Sequence, residues 1–385
     1  MKVLHVINNL GSGGAEKLLE GLIPLMNKLG NVKADVLLLT DKGNVFYDSF
    51  INKGVTVHVI KYKNMYDIRN IFEIKEYIVN GSYDVVHSHL FPSQYWVALS
   101  RMVLKDKETK FVTTEHSTYN RRRDKFFLRY VDKLIYSQYD SIISVTEETR
   151  DNLIDWIDFG RRHLHRHTVI ENGVDIERIR AALPYDKSEL IAGIGEHEKL
   201  ICMVGRFSEA KDQPTLIRAL TKLPSDVHLI LVGEGPLVSD NKLLAEDLGV
   251  SDRVHFLGFR KDVPRILKTV DVVILSSHWE GLSLASVEGL ASGKPFIASK
   301  VPGLEELVKG HGVLFEKGNY NQLSEIVSRL INDVKFYNDT AKCCLRQSQK
   351  YELKNTVRGY VNLYRQLYVS GHETKRERVL QTPRE

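Results

Sequence analysis

Short runs of Val, Ile and Leu alternate along this chain with longer amphipathic stretches, and the alternation restarts once, near residue 200. A short apolar run buried on both faces needs helices above and below it, so the rhythm predicts parallel sheets with crossover helices. The predicted strands of the first half are 3–7, 34–39, 55–60, 85–88, 111–114, 142–145 and 168–170. Those of the second half are 200–204, 228–232, 254–257, 272–275, 296–298 and 313–315. Residues 15–29 carry Leu18, Leu19, Leu22, Leu25 and Met26 at helical spacing between the first two strands. The fold class that follows is α/β, two tandem Rossmann-like domains facing a central cleft, since ligands of open α/β sheets bind at the carboxyl ends of the strands. The expected limits are 1–175 for the first domain and 196–355 for the second, with residues 172–198 reading as a linker. A C-terminal helix is expected at 355–368, within a segment 356–370 that packs back on the first domain. Its apolar face would be Val357, Val361, Tyr364 and Tyr368, and 371–385 reads as a polar, disordered tail.

Composition narrows the function classes. The chain has 385 residues, 43% hydrophobic and 27% charged, the balance of a folded globular protein of two domains. No run approaches the roughly 18–20 apolar residues of a membrane-spanning helix, and the first residues turn polar at Asn8, too early for a signal peptide. The three cysteines (Cys202, Cys343 and Cys344) suit neither a disulfide framework nor a zinc site. A net charge of +5 does not imply nucleic acid as a partner.

Several predicted strand ends carry loops suited to phosphate and sugar. The first strand leads into Gly11-Ser12-Gly13-Gly14-Ala15-Glu16, where glycines let the backbone approach an anion and a helix N-terminus supplies N–H groups. Glu16 stands where a dinucleotide fingerprint would need glycine, which argues against a dehydrogenase. In the second half, Gly205 and Arg206 end the first strand and Lys211 follows; a guanidinium fork and an ammonium suit a diphosphate leaving group. Gly233 to Gly235 and Gly258-Phe259-Arg260 end the next two strands. The fourth ends in a loop with Glu280 and Gly281, then a predicted helix starting near Ser283 that contains Leu284, Ala285 and Glu288. Two carboxylates eight positions apart can accept hydrogen bonds from sugar and ribose hydroxyls while the helix end between them faces phosphate. In the first half, His89 and His116 sit at neighbouring strand ends, placed to donate to a sugar hydroxyl or to assist proton movement.

With these residues assembled, the chain resembles glycosyltransferase family 4, retaining enzymes of the two-Rossmann GT-B fold, from Met1 to about Tyr368. The most specific piece is Glu280 to Glu288 followed by Gly289-Leu290-Ala291-Ser292-Gly293-Lys294-Pro295. Arg206 and Lys211 match the family's basic pair, Gly13 and Gly14 its N-terminal glycine loop, and His116 its first-domain histidine. The resemblance implies that Glu280 contacts the donor sugar and Glu288 the ribose. It places the backbone of Leu284 and Ala285 at the phosphates and Gly258 to Arg260 beside the base. It implies no cofactor and no metal, in keeping with the absence of an Asp-x-Asp pair. Ser283 stands where the family often has Gly or Pro, which leaves the donor sugar open. With no evident carboxylate nucleophile, a front-face displacement with retention is expected.

The expected acceptor is a glycan or lipid-linked glycan of the cell envelope. The segment from Tyr119 to Lys133 has six basic residues against two acidic ones. Lys125, Arg129 and Lys133, with Arg122 before them, would line one stripe of a helix whose other stripe is Phe127, Tyr130, Val131 and Leu134. That pattern suits peripheral contact with an anionic membrane from the cytoplasmic side. An ordinary surface helix that buries its apolar stripe is the competing reading. The expected donor is a UDP-sugar; a nucleotide-sugar epimerase or phosphorylase of the same fold is the alternative activity.

Overall fold

The computed structural model describes residues 1–29, 31–105, 108–118, 120–157 and 163–380, side chains excepted at 121 and 370–380. Tyr119 and the end of the expected tail, 381–385, lie outside the described residues. The chain divides into two compact units, Met1–Asn172 with Leu353–Glu385, and Gly173–Glu352.

The first unit holds β1 (Lys2–Ile7), β2 (Lys33–Leu38), β3 (Val57–Val59), β4 (Val85–His89), β5 (Lys110–Glu115), β6 (Ser141–Ser144) and β7 (His167–Val169). They form one parallel sheet in the order β3-β2-β1-β4-β5-β6-β7. The helix Gly14–Leu29 buries Leu18, Leu19, Leu22, Ile23 and Met26. Gly21 in that helix leaves room for Leu353, whose Cδ2 would stand 2.9 Å from a Cβ there. The second unit holds β8 (Lys199–Val204), β9 (Val227–Val232), β10 (Val254–Gly258), β11 (Val272–Leu275), β12 (Phe296–Ser299) and β13 (Val313–Phe315). Its parallel order is β10-β9-β8-β11-β12-β13. In each sheet the strand order reverses once, between β1 and β4 and between β8 and β11. Two crossovers diverge at such a point and leave a crevice above the strand ends.

Two expectations need correction. Residues 172–198 are not a linker: they contain the helices Ile176–Ala181 and Lys187–Leu190, and Ile176, Ile179, Leu190, Ile191 and Ile194 join the core of the second unit. Their apolar residues are too irregularly spaced to signal an element, yet each has a place against the sheet. The last helix runs Leu353–Leu380, through much of the expected tail. Glu, Lys and Arg are good helix formers, so polarity alone does not stop a helix once it has started. Its inward residues are Val357, Tyr360, Val361 and Tyr364, while Tyr368 is exposed.

Candidate active site

The β8–β11 switch point of the second unit gathers most of the residues singled out by the sequence. After β8 the chain passes Gly205, Arg206 and Phe207 and makes a short turn, Glu209–Lys211, ending at Asp212 with φ of 51°. Asp is one of the few residues that accepts this left-handed conformation. Ser276 Oγ, just beyond β11, donates to the carbonyls of Lys211 (3.0 Å) and Asp212 (2.7 Å), and His278 N donates to Ala210 O at 2.8 Å. These bonds tie the two strand-end loops together. Across the tie Lys211 Nζ pairs with Glu280 Oε1, which also accepts from Ser277 Oγ at 2.8 Å. The pair is largely buried, at 17% and 11% side-chain exposure. Arg206 differs: it is exposed, and its guanidinium has no partner among the described residues.

Glu280 and Gly281 lead to the helix Leu284–Ala291, with Ser283 extended at its N-cap and making no side-chain cap. The N–H groups of Ser286 and Val287 reach Ser283 O, so those of Leu284 and Ala285 remain unfilled among the described residues. Such groups, aligned with the helix dipole, are an anion site. Glu288 is the fifth residue of the helix and partly buried. On the other side of β8, Gly233 has φ of 140°, and a Cβ there would overlap the Gly205 carbonyl oxygen. Only glycine permits this backbone approach. Gly258 (φ 62°) ends β10 and accepts from Gly233 N at 2.8 Å, with Phe259 next in the chain. Arg260 is committed to Asp262 through bonds of 2.8 and 2.6 Å, and that guanidinium holds the Asp262 carboxyl well below the usual range.

Sequence reasoning missed two supports of this loop. Ser277, whose hydroxyl holds Glu280, looks like any small polar loop residue. Gly303, in the helix Pro302–Val308, lies so close that a Cβ would stand 2.5 Å from Glu280 O and 2.6 Å from Gly281 O. Its only local signal is a glycine directly after a helix-starting proline, one strand along.

In the first unit, Gly13 precedes the helix Gly14–Leu29, and the Glu16 carboxylate lies against it so closely that a Cβ at Gly13 would collide. Glu16 thus occupies the space that a dinucleotide fingerprint keeps empty. His89 and His116 do meet, Nδ1 to Nε2 at 3.1 Å. Behind them stands His5, which sequence reasoning overlooked as a strand residue: His5 Nδ1 is 3.0 Å from His89 Nε2. Burial pulls the imidazoles down to about 3 for His5 and about 4 for His116, and well below the ordinary value for His87 and His89, so all are neutral near pH 7.

The expected basic stripe is not formed. Arg121–Asp124 is a short turn, Lys125 is extended, and the helix begins only at Leu128. Arg122 points inward, over the rings of Phe91 (4.7 Å) and Tyr95 (5.0 Å) and 3.8 Å from Asp132. Arg129 donates to Trp156 O (2.6 Å) and Asp155 O (2.7 Å), the open carbonyls at the end of helix Glu147–Ile157. Lys125 and Lys133 remain exposed, and so does the apolar stripe of Phe127 (64%), Tyr130 (61%), Val131 and Leu134, with Phe126 (62%) beside it. The helix instead buries Asp132, Ile135 and Tyr136. No helix among the described residues is long and apolar enough to cross a membrane.

Residues 12–178 match the family model described as Glycosyltransferase Family 4, and residues 186–343 that described as Glycosyl transferases group 1. The UDP-Gal:alpha-D-GlcNAc-diphosphoundecaprenol alpha-1,3-galactosyltransferase of Escherichia coli is 27% identical over 292 residues, 72% of this chain and 74% of that one. A Campylobacter jejuni relative is the N-acetylgalactosamine-N,N'-diacetylbacillosaminyl-diphospho-undecaprenol 4-alpha-N-acetylgalactosaminyltransferase. It is 22% identical over 381 residues, 92% of this chain and 98% of that one. Among solved structures, Anabaena Alr3699/HepE in complex with UDP and glucose superposes with a TM-score of 0.81 at 23% identity, covering 94% of this chain and 99% of that one. At that identity the likeness establishes the fold.

Proposed function

The chain belongs to glycosyltransferase family 4, and from that premise we propose that it is a retaining hexosyltransferase that moves a sugar from a UDP-sugar to a hydroxyl of a lipid-linked glycan. The observation that carries the donor reading is the β8–β11 switch point, where an exposed Arg206 accompanies the open helix end at Leu284 and Ala285. Both are built for an anion, and among the described residues neither has a protein partner to satisfy it. In this reading the diphosphate lies on Arg206, Lys211 and that helix end. Glu288 receives the ribose hydroxyls, Glu280 the donor sugar, and the backbone at Gly258 and Phe259 borders the base. The glycine approach of Gly205 and Gly233, and the turn at Gly281, keep side chains out of the way. In the first unit Gly13, Gly14 and His116 are the residues of this reading. His89, expected as a sugar contact, is fully buried with both ring nitrogens engaged by His5 and His116 and supports His116 instead.

The reaction breaks the bond between the anomeric carbon and the diphosphate oxygen and forms a bond to the acceptor oxygen on the same face. The acceptor's proton passes to the departing diphosphate, and Arg206 and Lys211 stabilise the charge that grows there. Two cations at this site can do the work of a metal ion, so turnover should be metal-independent. The relatives' lipid-linked acceptors and the exposed Phe126, Phe127 and Tyr130 support an enzyme at the cytoplasmic face of the membrane that builds envelope polysaccharide.

Thermal shift with a panel of UDP-, GDP- and ADP-sugars tests the donor, since a ligand at 100 times its Kd adds about 2.7 kcal/mol. Preference for a non-uridine donor would overturn that part. Turnover that collapses in chelator and returns with magnesium or manganese would end metal independence. An NMR coupling constant that shows a β-linked product from an α-linked donor would end retention.

A further inference from the structure

Three imidazoles stand in single file inside the first unit. His5 lies on β1 and His89 ends β4, the two strands at the switch point, while His116 follows β5. His5 is in register with His87, and His89 is two residues further on, so the pleat brings His5, His87 and His89 to one face. The file runs from His5 Nδ1 to His89 Nε2 (3.0 Å) and from His89 Nδ1 to His116 Nε2 (3.1 Å). Its inner end, His5 Nε2, is buried without a hydrogen-bond partner among the described residues. Its outer member, His116, is the only one of the three that reaches the surface.

His87 stays outside the file, because both its nitrogens are engaged. Nδ1 meets the Tyr364 hydroxyl at 2.5 Å and Nε2 meets Thr114 Oγ1 at 2.7 Å, with Tyr360 OH 3.2 Å from the same Oγ1. A metal ion on His5, His87 and His89 would have to break one of those bonds, so the contacts favour the hydrogen-bonded file. The groups facing the file from neighbouring elements are His87, Thr114, Tyr360 and Tyr364, all uncharged near pH 7. Glu115, beside His116 in the chain, accepts from the Tyr136 hydroxyl at 2.5 Å.

Counting protons gives the file a direction. Three neutral rings carry three N–H protons, and two of them lie inside the two contacts. The third is on His5 Nε2 or on His116 Nδ1. A buried N–H without an acceptor is rarer in folded proteins than an unfilled lone pair, so the third proton belongs on His116. We propose that His5 and His89 are positioning residues that hold His116 as its Nδ1–H tautomer, making its outward nitrogen a constant donor to a sugar hydroxyl and not a proton acceptor. The inference rests on the reading of His116 as a sugar contact.

Nitrogen-15 NMR of the full-length protein labelled at histidine tests it, with His116→Ala assigning the signal. His116 should show Nδ1–H in the wild type and in His5→Asn, whose amide can donate from the place of Nδ1. His5→Asp, whose carboxylate accepts from His89 Nε2, should reverse the file, shift His116 towards Nε2–H and lower kcat/KM for the donor roughly tenfold, the worth of one neutral hydrogen bond, whereas His5→Asn should keep the wild-type values. An Nε2–H His116 in the wild type overturns the proposal, and so does His5→Asp with unchanged tautomer and kcat/KM. Stoichiometric zinc uptake that His5→Phe abolishes overturns it in favour of a metal site. If His5→Asp does not fold, the wild-type spectrum and His5→Asn still decide. Should His116 prove Nδ1–H while His116→Ala keeps full turnover, the sugar contact fails and the tautomer assignment stands.

Discussion

Replacing Arg206 and Lys211 by alanine, one at a time, should separate two cations that the sequence presents as a pair. Arg206 is exposed and its guanidinium makes no hydrogen bond or ion pair among the described residues, so its loss should change stability by no more than about 0.5 kcal/mol. Lys211 is only 17% exposed, and its partner Glu280 only 11%. Without the ammonium, that carboxylate keeps one donor, the Ser277 hydroxyl at 2.8 Å. Breaking a fully buried pair costs about 3–5 kcal/mol, and the remaining solvent access reduces this to about 1–3 kcal/mol. At about 2–4 °C per kcal/mol for a domain of this size, a cost near 2 kcal/mol lowers Tm by about 4–8 °C. Removing the carboxylate charge as well, in Lys211→Ala with Glu280→Gln, should recover part of that loss but no activity. Both single variants should lose roughly 10²–10³ in turnover, the scale of one preorganised donor to developing charge. Calorimetry and a UDP-release assay read the two effects separately. Normal turnover in Arg206→Ala refutes the diphosphate assignment, and wild-type melting in Lys211→Ala refutes the buried-pair argument.

Acid should destabilise the first unit through its histidines. Because burial keeps His5 near about 3 and His116 near about 4, their stabilising share is complete above pH 6.5 and is lost as pH falls towards those values, at about 1.4 kcal/mol per pH unit per group. A Tm that stays flat from pH 7 to pH 5 would contradict this. Vesicle binding should depend on rings more than on arginines: Phe126→Ser and Phe127→Ser should each weaken sedimentation roughly tenfold or more, at about 1.5–3 kcal/mol per buried Phe. Arg122→Gln and Arg129→Gln should instead lower Tm, since both are committed inside the protein. Unchanged sedimentation of the Phe variants returns the exposed stripe to an ordinary surface.

The strands could be read from the chain because burial on both faces demands continuous apolar residues, a purely local requirement. Thus 3–7, 200–204 and 272–275 were legible as β1, β8 and β11, and the order of elements followed from parallel crossovers. The glycines at 233 and 258 were legible too, because the approach to the Gly205 carbonyl excludes a side chain at 233 and a φ of 62° favours glycine at 258. Partners were not legible. Amphipathic spacing could not foresee that Arg129 would turn to the open carbonyls of another helix. Nor could it show that Lys211 commits its charge to Glu280 while Arg206 stays exposed. His5 and His89 are 84 positions apart and meet only because strand order sets β1 beside β4. Sequence by itself determined the sheets, their strand ends and the residue types delivered there. The tertiary structure decided which charge pairs with which and which nitrogen faces outward, because hydrogen bonds and ion pairs depend on distances of a few ångströms between residues far apart in the chain.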